Sequence, residues 1–213
     1  MVYTVKNRIF SSNTYILSKK DSDKCIIIDP GLDPERIDEV IHLNGLRPVA
    51  ILCTHGHFDH IASISYFKKK YDNLPYYLHQ ADAKMAKSAN FFLKLAKINY
   101  WIEYIEPDYF FSQTHELLNI DSYSFSIRKM PGHSDGSCVI KYENLLFSGD
   151  IIYRRGLGFN NFPGENKDLL RESIKNIINE YDRGSMVYPG HGEAEILELI
   201  LNENIELDHF INN

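Results

Sequence analysis

The chain places three histidines and one aspartate within the short segment Thr54 to His60. These four side chains are His55, His57, Asp59 and His60. They follow the apolar run Pro48 to Cys53, which is typical of a short buried strand. Imidazole and carboxylate groups together suit zinc, iron or manganese. A strand that ends in this cluster therefore predicts a metal site.

Three further candidate ligands lie downstream in similar settings. Each follows a short segment rich in apolar or β-favouring residues, and each lies beside glycine, which lets the backbone turn sharply near a site. These residues are His133, Asp150 and His191. The alternative, a polar loop that happens to be rich in histidine, does not account for the downstream partners. The pattern predicts a metal site built at the ends of strands along the edge of a sheet.

The complete set resembles the metallo-β-lactamase fold superfamily of metal-dependent hydrolases, and within it the glyoxalase II-like (hydroxyacylglutathione hydrolase-like) group. The resemblance is carried by Asn13-Thr14-Tyr15, Ile28-Asp29-Pro30-Gly31 and Pro189-Gly190-His191-Gly192, together with the ligand segments. These motifs are specific for the superfamily and much less specific for the substrate. The resemblance implies an α/β fold, namely an αββα four-layer sandwich of two mixed β-sheets flanked by helices, with residues 1–213 as a single domain.

The resemblance also implies two divalent metal ions, with zinc expected and iron or manganese as alternatives. The implied assignment is His55, His57 and His133 for the first ion, Asp59, His60 and His191 for the second, and Asp150 as the bridge. Seven side chains are more than one four-coordinate zinc ion needs, whereas two ions roughly 3.5–4 Å apart would use them all. Many β-lactamases of this superfamily have a cysteine ligand where Asp or His stands here, which disfavours an antibiotic-cleaving role.

The sequence offers no obvious protein nucleophile, because its one Gly-x-Ser-x-Gly segment, Gly132 to Gly136, contains the candidate metal ligand His133, and no cysteine lies beside a histidine. Metal-bound hydroxide is therefore the expected nucleophile, since zinc lowers the pKa of bound water to about 7. Asp59 is the predicted catalytic residue, because it would orient this water as well as bind metal. Thioesters suit this chemistry, since a thiolate with a parent pKa of about 8.5 leaves readily. We expect hydrolysis of small thioesters such as S-lactoylglutathione.

Lactonase, phosphodiesterase and mononuclear-iron sulfur oxygenase activities on the same ligands are alternatives. Longer glyoxalase II-like proteins hold glutathione with a basic, aromatic C-terminal region, whereas residues 193–213 contain neither Lys nor Arg. Other residues could hold the substrate. Tyr153, Arg154 and Arg155 follow Asp150 closely, and an arginine there could bind a substrate carboxylate, although a solvated turn is equally compatible. The loop 160–164 is a further candidate border of the cleft.

Composition agrees with one compact enzyme, because 213 residues with 44% hydrophobic side chains can bury a sizeable core. The net charge of -6 argues against a nucleic acid or an anionic membrane as partner. Three cysteines far apart in apolar contexts predict buried, reduced thiols. The chain shows no secretory signal and no run long enough to span a bilayer. We expect a cytoplasmic protein whose partner is a small-molecule thioester.

Apolar periodicity predicts the elements that position these residues. The predicted strands are 14–17, 25–28, 48–53, 123–128, 137–142, 145–148 and 186–188. The predicted helices are 35–44, 60–71, 81–97, 168–181 and 194–201, followed by a short last helix. The aromatic stretch 91–111 has three interpretations, namely packing of a peripheral helix, an apolar wall over the metal cleft, or a dimer contact.

Overall fold

The structure is a computed structural model that describes residues 1–159, 162 and 164–212. The loop 160–164, predicted to border the cleft, lies mostly outside these residues. The chain divides into two compact units, which we call unit 1 (Met1–Ser112) and unit 2 (Gln113–Asn213). The prediction that residues 1–213 form a single domain stays a prediction.

Unit 1 is built on a six-stranded sheet whose strands follow one another in chain order. The strands are β1 (Val2–Lys6), β2 (Asn13–Ser18), β3 (Lys24–Ile28), β4 (Arg47–Leu52), β5 (Tyr76–His79) and β6 (Tyr109–Phe111). The pairs β1–β2 and β2–β3 are antiparallel, and the pairs from β3 to β6 are parallel. Because β3 and β4 are parallel with Ile28 opposite Leu52, the residues that follow both strands meet at one edge of the sheet.

The helices of unit 1 are α1 (Pro34–Leu43), α2 (Phe58–Ile61), α3 (Ile64–Lys70), α4 (Ala83–Lys87) and α5 (Ala89–Leu95). The single helix predicted over 60–71 is therefore two helices. The break occurs at Ser63, whose backbone N–H donates to Pro30 O at 3.0 Å and whose hydroxyl donates to Gly31 O. These bonds tie the chain to the loop after β3. The helix predicted over 81–97 is likewise divided into α4 and α5, at Ser88.

Unit 2 is built on a second six-stranded sheet, in the order β12-β11-β10-β9-β8-β7. Its strands are β7 (His115–Ile120), β8 (Tyr123–Lys129), β9 (Cys138–Tyr142), β10 (Leu145–Gly149), β11 (Met186–Pro189) and β12 (Glu195–Ile196). The pair β10–β11 is parallel and the other pairs are antiparallel. Parallel pairing brings the carboxyl ends of β10 and β11 side by side, so that Asp150 and the segment before His191 start from the same edge.

The helices of unit 2 are α6 (Lys167–Glu180), α7 (Leu197–Glu203) and α8 (Ile205–Asn212). The Asn166 side chain caps α6 by accepting hydrogen bonds from the backbone N–H groups of Asp168 and Leu169. Helix α6 buries Leu170, Ile174 and Ile177 at the helical spacing that its sequence predicted. The helix predicted over 194–201 instead begins as β12, because Glu195 and Ile196 pair with β11.

Two mixed six-stranded sheets flanked by helices confirm the predicted fold class. All three cysteines are buried and none forms a disulfide. The aromatic stretch is divided, since Phe111 is buried in the core whereas Phe91 and Trp101 are exposed. Among the described residues, no helix is both long and apolar enough to cross a membrane.

Candidate metal centre

The loop after β4 brings together the four candidate ligands of unit 1. His55 and His60 are fully buried, Asp59 is nearly so, and His57 is half-buried. The ring centroid of His55 lies 4.8 Å from that of His57 and 4.4 Å from that of His60. The Nε2 atom of His60 lies 3.5 Å from Oδ2 of Asp59. The segment thus folds its imidazoles and its carboxylate around one region.

A buried carboxylate that the sequence motifs did not single out as functional supports this loop. Asp29 follows β3, and its Oδ1 and Oδ2 accept hydrogen bonds from Thr54 N and Thr54 Oγ1, both at 2.7 Å. Its Oδ2 also lies 3.3 Å from Nδ1 of His60. The available signal was a buried strand that ends in a carboxylate next to the strand that delivers the ligands.

These contacts determine which imidazole nitrogens can bind a metal. Thr54 Oγ1 lies 3.0 Å from Nδ1 of His55, and its single proton is already donated to Asp29. Nδ1 of His55 must therefore carry the proton, which leaves the lone pair on Nε2. The same reasoning assigns a protonated Nδ1 and a lone pair on Nε2 to His60, because its Nδ1 faces the Asp29 carboxylate. The Asp29 carboxylate thus orients His60 directly and His55 through Thr54, as residues that hydrogen-bond to metal-binding histidines do.

Two further residues that are not ligands hold the loop. The Gly56 N–H, between His55 and His57, donates to Oδ2 of the fully buried Asp82 at 2.8 Å. A Cβ atom at Gly56 would lie 2.9 Å from the carbonyl oxygen of Asp82, so glycine permits this close approach. The hydroxyl of Ser12 donates to the backbone carbonyl of Asp59 at 2.8 Å. The loop is therefore fixed from both sides.

In unit 2, Asp150 connects the other two candidate ligands. Its Oδ2 lies 3.4 Å from Nε2 of His133 and 3.4 Å from Nε2 of His191. Asp150 and His133 are buried, whereas the His191 side chain is 28% exposed and is therefore the member open to solvent. The structure thus brings together the three candidate ligands of unit 2, although they are distant in sequence.

His133 has the same proton arrangement as His55 and His60. Its Nδ1 donates to Gly158 O at 2.8 Å, because a carbonyl oxygen can only accept, so the lone pair of the neutral ring lies on Nε2. Nδ1 also lies 3.4 Å from Oε1 of Glu165, a second residue absent from the sequence prediction. Burial lowers the pKa of His133, but the Asp150 charge and the contacts with Glu165 and Gly158 outweigh it and raise the pKa above 6.5.

The spacing of these atoms fits a metal ion. Two ligands about 2.1 Å from a tetrahedral ion lie about 3.4 Å apart. The distances of 3.4 Å and 3.5 Å between imidazole Nε2 and carboxylate Oδ2 atoms agree with this value. In His55, His60 and His133, the hydrogen bonds leave the lone pair on Nε2. Nitrogen and oxygen donors of this kind suit zinc, iron or manganese.

The three residues predicted to bind substrate lie on the segment after Asp150. Tyr153, Arg154 and Arg155 line a cavity of about 370 Å³ together with His191, Gly192 and Glu193. The ring of Tyr153 meets that of His191 edge to face, with centroids 6.1 Å apart. Arg154 is partly buried in contact with acidic side chains, whereas Arg155 is exposed.

Known proteins resemble this chain over most of its length. A family model described as the metallo-beta-lactamase superfamily matches residues 7–191. The probable metallo-hydrolase YqgX of Bacillus subtilis is 33% identical over 87% of this chain and 88% of its own length. The hydroxyacylglutathione hydrolase GloC of Haemophilus influenzae is 29% identical over 81% of this chain and 82% of its own.

Solved structures show the same fold over nearly the whole chain. The B3 metallo-beta-lactamase BLEG-1 superimposes with a TM-score of 0.86 and 28% identity, covering 97% of this chain and 99% of that one. The di-iron-bound form of TTHA1623 superimposes with a TM-score of 0.83 and 27% identity, covering 96% and 99%. These similarities confirm the resemblance on which the predicted fold rested.

Proposed function

The chain belongs to the metallo-β-lactamase superfamily, and we propose that it is a dinuclear metal-dependent hydrolase of small thioesters. The observation that carries the proposal is the Asp150 carboxylate, with one oxygen 3.4 Å from the Nε2 atoms of two histidines. An acidic residue shared in this way suits a bridge between two ions, as in two-metal hydrolases. The second ligand cluster, on the loop after β4, supplies enough donors for a dinuclear site.

We assign the ligands as the family resemblance implies. His55, His57 and His133 would hold the first ion, Asp59, His60 and His191 would hold the second, and Asp150 would be the ligand common to both. Bound there, the ions would act as Lewis acids and lower the pKa of a water molecule. Asp29, through Thr54 and His60, keeps the ligand nitrogens in the required tautomer. Asp59 has a carboxylate held next to His60, and we assign it the additional role of orienting the water.

Thioesters are favoured over the other substrates of this chemistry for two reasons. A relative that covers most of the chain is a hydroxyacylglutathione hydrolase. A thiolate is also a much better leaving group than an alkoxide, because its parent pKa is about 8.5. Residues 193–213, which lack Lys and Arg, favour loose binding of glutathione itself. We therefore expect turnover of S-lactoylglutathione with poor saturation, since the loss of binding energy from a remote part of the substrate raises KM.

The identity of the metal is left open between zinc and iron. Zinc suits the nitrogen and oxygen donors, and TTHA1623, a relative in fold and sequence, has been seen in a di-iron-bound form. The experiment must therefore begin from metal-free protein reloaded separately with zinc, iron(II) or manganese(II). Metal per chain is measured by mass spectrometry on the same samples that are assayed.

The test compares substrates of different classes on the reloaded protein. S-lactoylglutathione and shorter acetyl thioesters are assayed by thiol release, next to a lactone, a phosphodiester and a β-lactam. We expect thiol release to rise with metal content up to two ions per chain. Full loading with no turnover of any thioester would overturn the proposal. Oxygen consumption by protein with a single iron would instead favour the oxygenase alternative.

A further inference from the structure

A small cavity in unit 2 borders one of the proposed metal ligands. Its volume is about 370 Å³, and its six lining residues include His191, Tyr153, Arg154 and Arg155. This volume lies at the lower end of the range for small-ligand pockets, which is about 300–1,000 Å³. A group bound in the cavity would therefore lie next to the reacting part of the substrate and would be small.

The two arginines of this cavity differ in their partners. The guanidinium of Arg154 lies 2.7 Å from Glu193, 3.4 Å from Glu195 and 3.8 Å from Glu203. Three carboxylates of the C-terminal segment thus surround it, and its donors point to the protein's own side chains. Arg154 ties the segment after Asp150 to β12 and α7, and it has little capacity left for a ligand.

Arg155 is exposed, and within the described part of the chain it forms no ion pair. A guanidinium stays protonated at any physiological pH. Among the six lining residues, the one carboxylate, Glu193, is held by Arg154 at 2.7 Å. Arg154 is thus neutralised by carboxylates of the protein, and Arg155 is the lining cation that has no ion pair with another described residue.

The backbone that carries Arg155 is fixed. The side-chain amide of Asn204 donates to Tyr153 O at 3.0 Å and to Gly156 O at 2.9 Å. Tyr153 lies two residues before Arg155, and Gly156 follows it directly. Gly156 has φ of +77°, a left-handed turn that glycine adopts without strain. A planar guanidinium on a fixed turn is well suited to bind a carboxylate with two parallel hydrogen bonds.

We propose that Arg155 binds a carboxylate of the substrate in this cavity, so that the preferred substrates are small thioesters carrying a carboxylate on the acyl or the thiol part. The inference rests on the proposed function for the reaction, but the anion site is a separate property of unit 2. It names the substrate class of the site, since neutral thioesters of the same size lack the group that Arg155 recognises.

The kinetic test uses two matched pairs of thioesters. S-acetyl-3-mercaptopropionate and S-acetyl-3-mercaptopropionamide differ in charge on the thiol part, and S-succinyl- and S-succinamoyl-N-acetylcysteamine differ on the acyl part. For at least one pair, we expect the acid to be preferred in kcat/KM. Arg155→Ala should lower the ratio of kcat/KM for the acid to kcat/KM for the amide by about 10- to 100-fold, the range for lost charged hydrogen bonds. Arg155→Lys should retain part of the preference, and Arg155→Glu should reverse it.

Arg183→Ala, which removes an exposed arginine elsewhere in unit 2, is the matched control and should leave the ratio unchanged. Binding of succinate and succinamide to the metal-loaded protein, measured by calorimetry, tests the site without turnover. We expect Arg155→Ala to weaken succinate binding and to have little effect on succinamide.

The outcomes separate the two ideas. Absence of thioester turnover with tight, Arg155-dependent succinate binding would reject the proposed reaction and keep the anion site. Turnover without any preference for the acids would overturn the assignment of Arg155. The assignment would also fail if Arg155→Ala and Arg155→Glu left both the acid preference and succinate binding intact.

Discussion

Unit 1 presents four candidate ligands from one short loop, whereas unit 2 collects three from segments far apart in sequence. In unit 1 the loop is held by side chains that are not ligands, namely those of Asp29, Asp82 and Ser12. In unit 2, Asp150 itself contacts the other two ligands, and Gly158 and Glu165 lie beside His133. A compact motif therefore depends on the buried hydrogen bonds around it. A dispersed set depends on the strand ends that deliver it and on the ligand common to its members.

The largest effect that the comparison predicts follows removal of the shared ligand. Asp150→Ala should bring metal content to near zero and activity to the level of metal-free protein, because both ions lose a ligand. Asp59→Ala should chiefly empty the second position and leave about one ion per chain. Metal per chain after gel filtration, with circular dichroism to show that each variant is folded, checks this order. Equal metal loss in the two variants would break the contrast between a shared and an unshared ligand.

The seven candidate ligands could be predicted from the sequence, because imidazoles and carboxylates beside glycine at strand ends are visible as a pattern. The hydrogen-bonding role of Asp29 could not be predicted, since the segment Ile28-Asp29-Pro30-Gly31 carries no information that Thr54 will lie beside Asp29. That neighbourhood arises only when β3 and β4 pair in parallel with Ile28 opposite Leu52. Glu165 was missed for a similar reason, because strands β9 and β10 separate it in sequence from His133.

Secondary structure followed the same division between local and tertiary causes. Strands β2 to β4 and β8 to β11 and helices α1 and α6 were predicted, since each has a clear apolar pattern of its own. The helix over 60–71 was predicted as continuous because periodicity does not register the bonds from Ser63 to the loop of Pro30 and Gly31. Strand β12 was predicted as helix, because two residues become a strand only by pairing with β11.

An intermediate effect is expected from the residue that supports unit 1. Asp29→Asn keeps the size of the side chain but removes one acceptor oxygen and places an NH2 group among donors. His60 then loses the acceptor that fixes its tautomer, and Thr54, the partner of His55, loses the acceptor of its hydroxyl proton. We expect metal affinity to fall by about 10- to 100-fold, the range for loss of a residue that hydrogen-bonds to metal-binding histidines. Competition with a chelator measures the apparent Kd.

Asp23→Asn is the matched control for Asp29→Asn, because Asp23 is an exposed aspartate of the same unit. Its metal affinity should equal that of the wild type. Wild-type affinity in Asp29→Asn would mean that the loop after β4 holds its ligands without help, and the two units would then not differ in the way described.

The smallest effect concerns Glu165, which supports a unit 2 ligand from outside the ligand set. In metal-free protein, the raised pKa of His133 means that its protonated form stabilises the fold. That contribution is fully present below about pH 6.5, the pKa of an unperturbed histidine, and is lost as pH rises through the higher pKa of the folded state. Glu165→Gln removes a charge that raises this pKa. We therefore expect Tm to fall by a few degrees, about 2–4 °C per kcal/mol, in acid and by less at alkaline pH.

Tm is measured on chelator-treated protein across this pH range, with the exposed Glu172→Gln as control. A loss of Tm that is equal at all pH values would show that Glu165 acts through packing and that its charge does not set the pKa of His133.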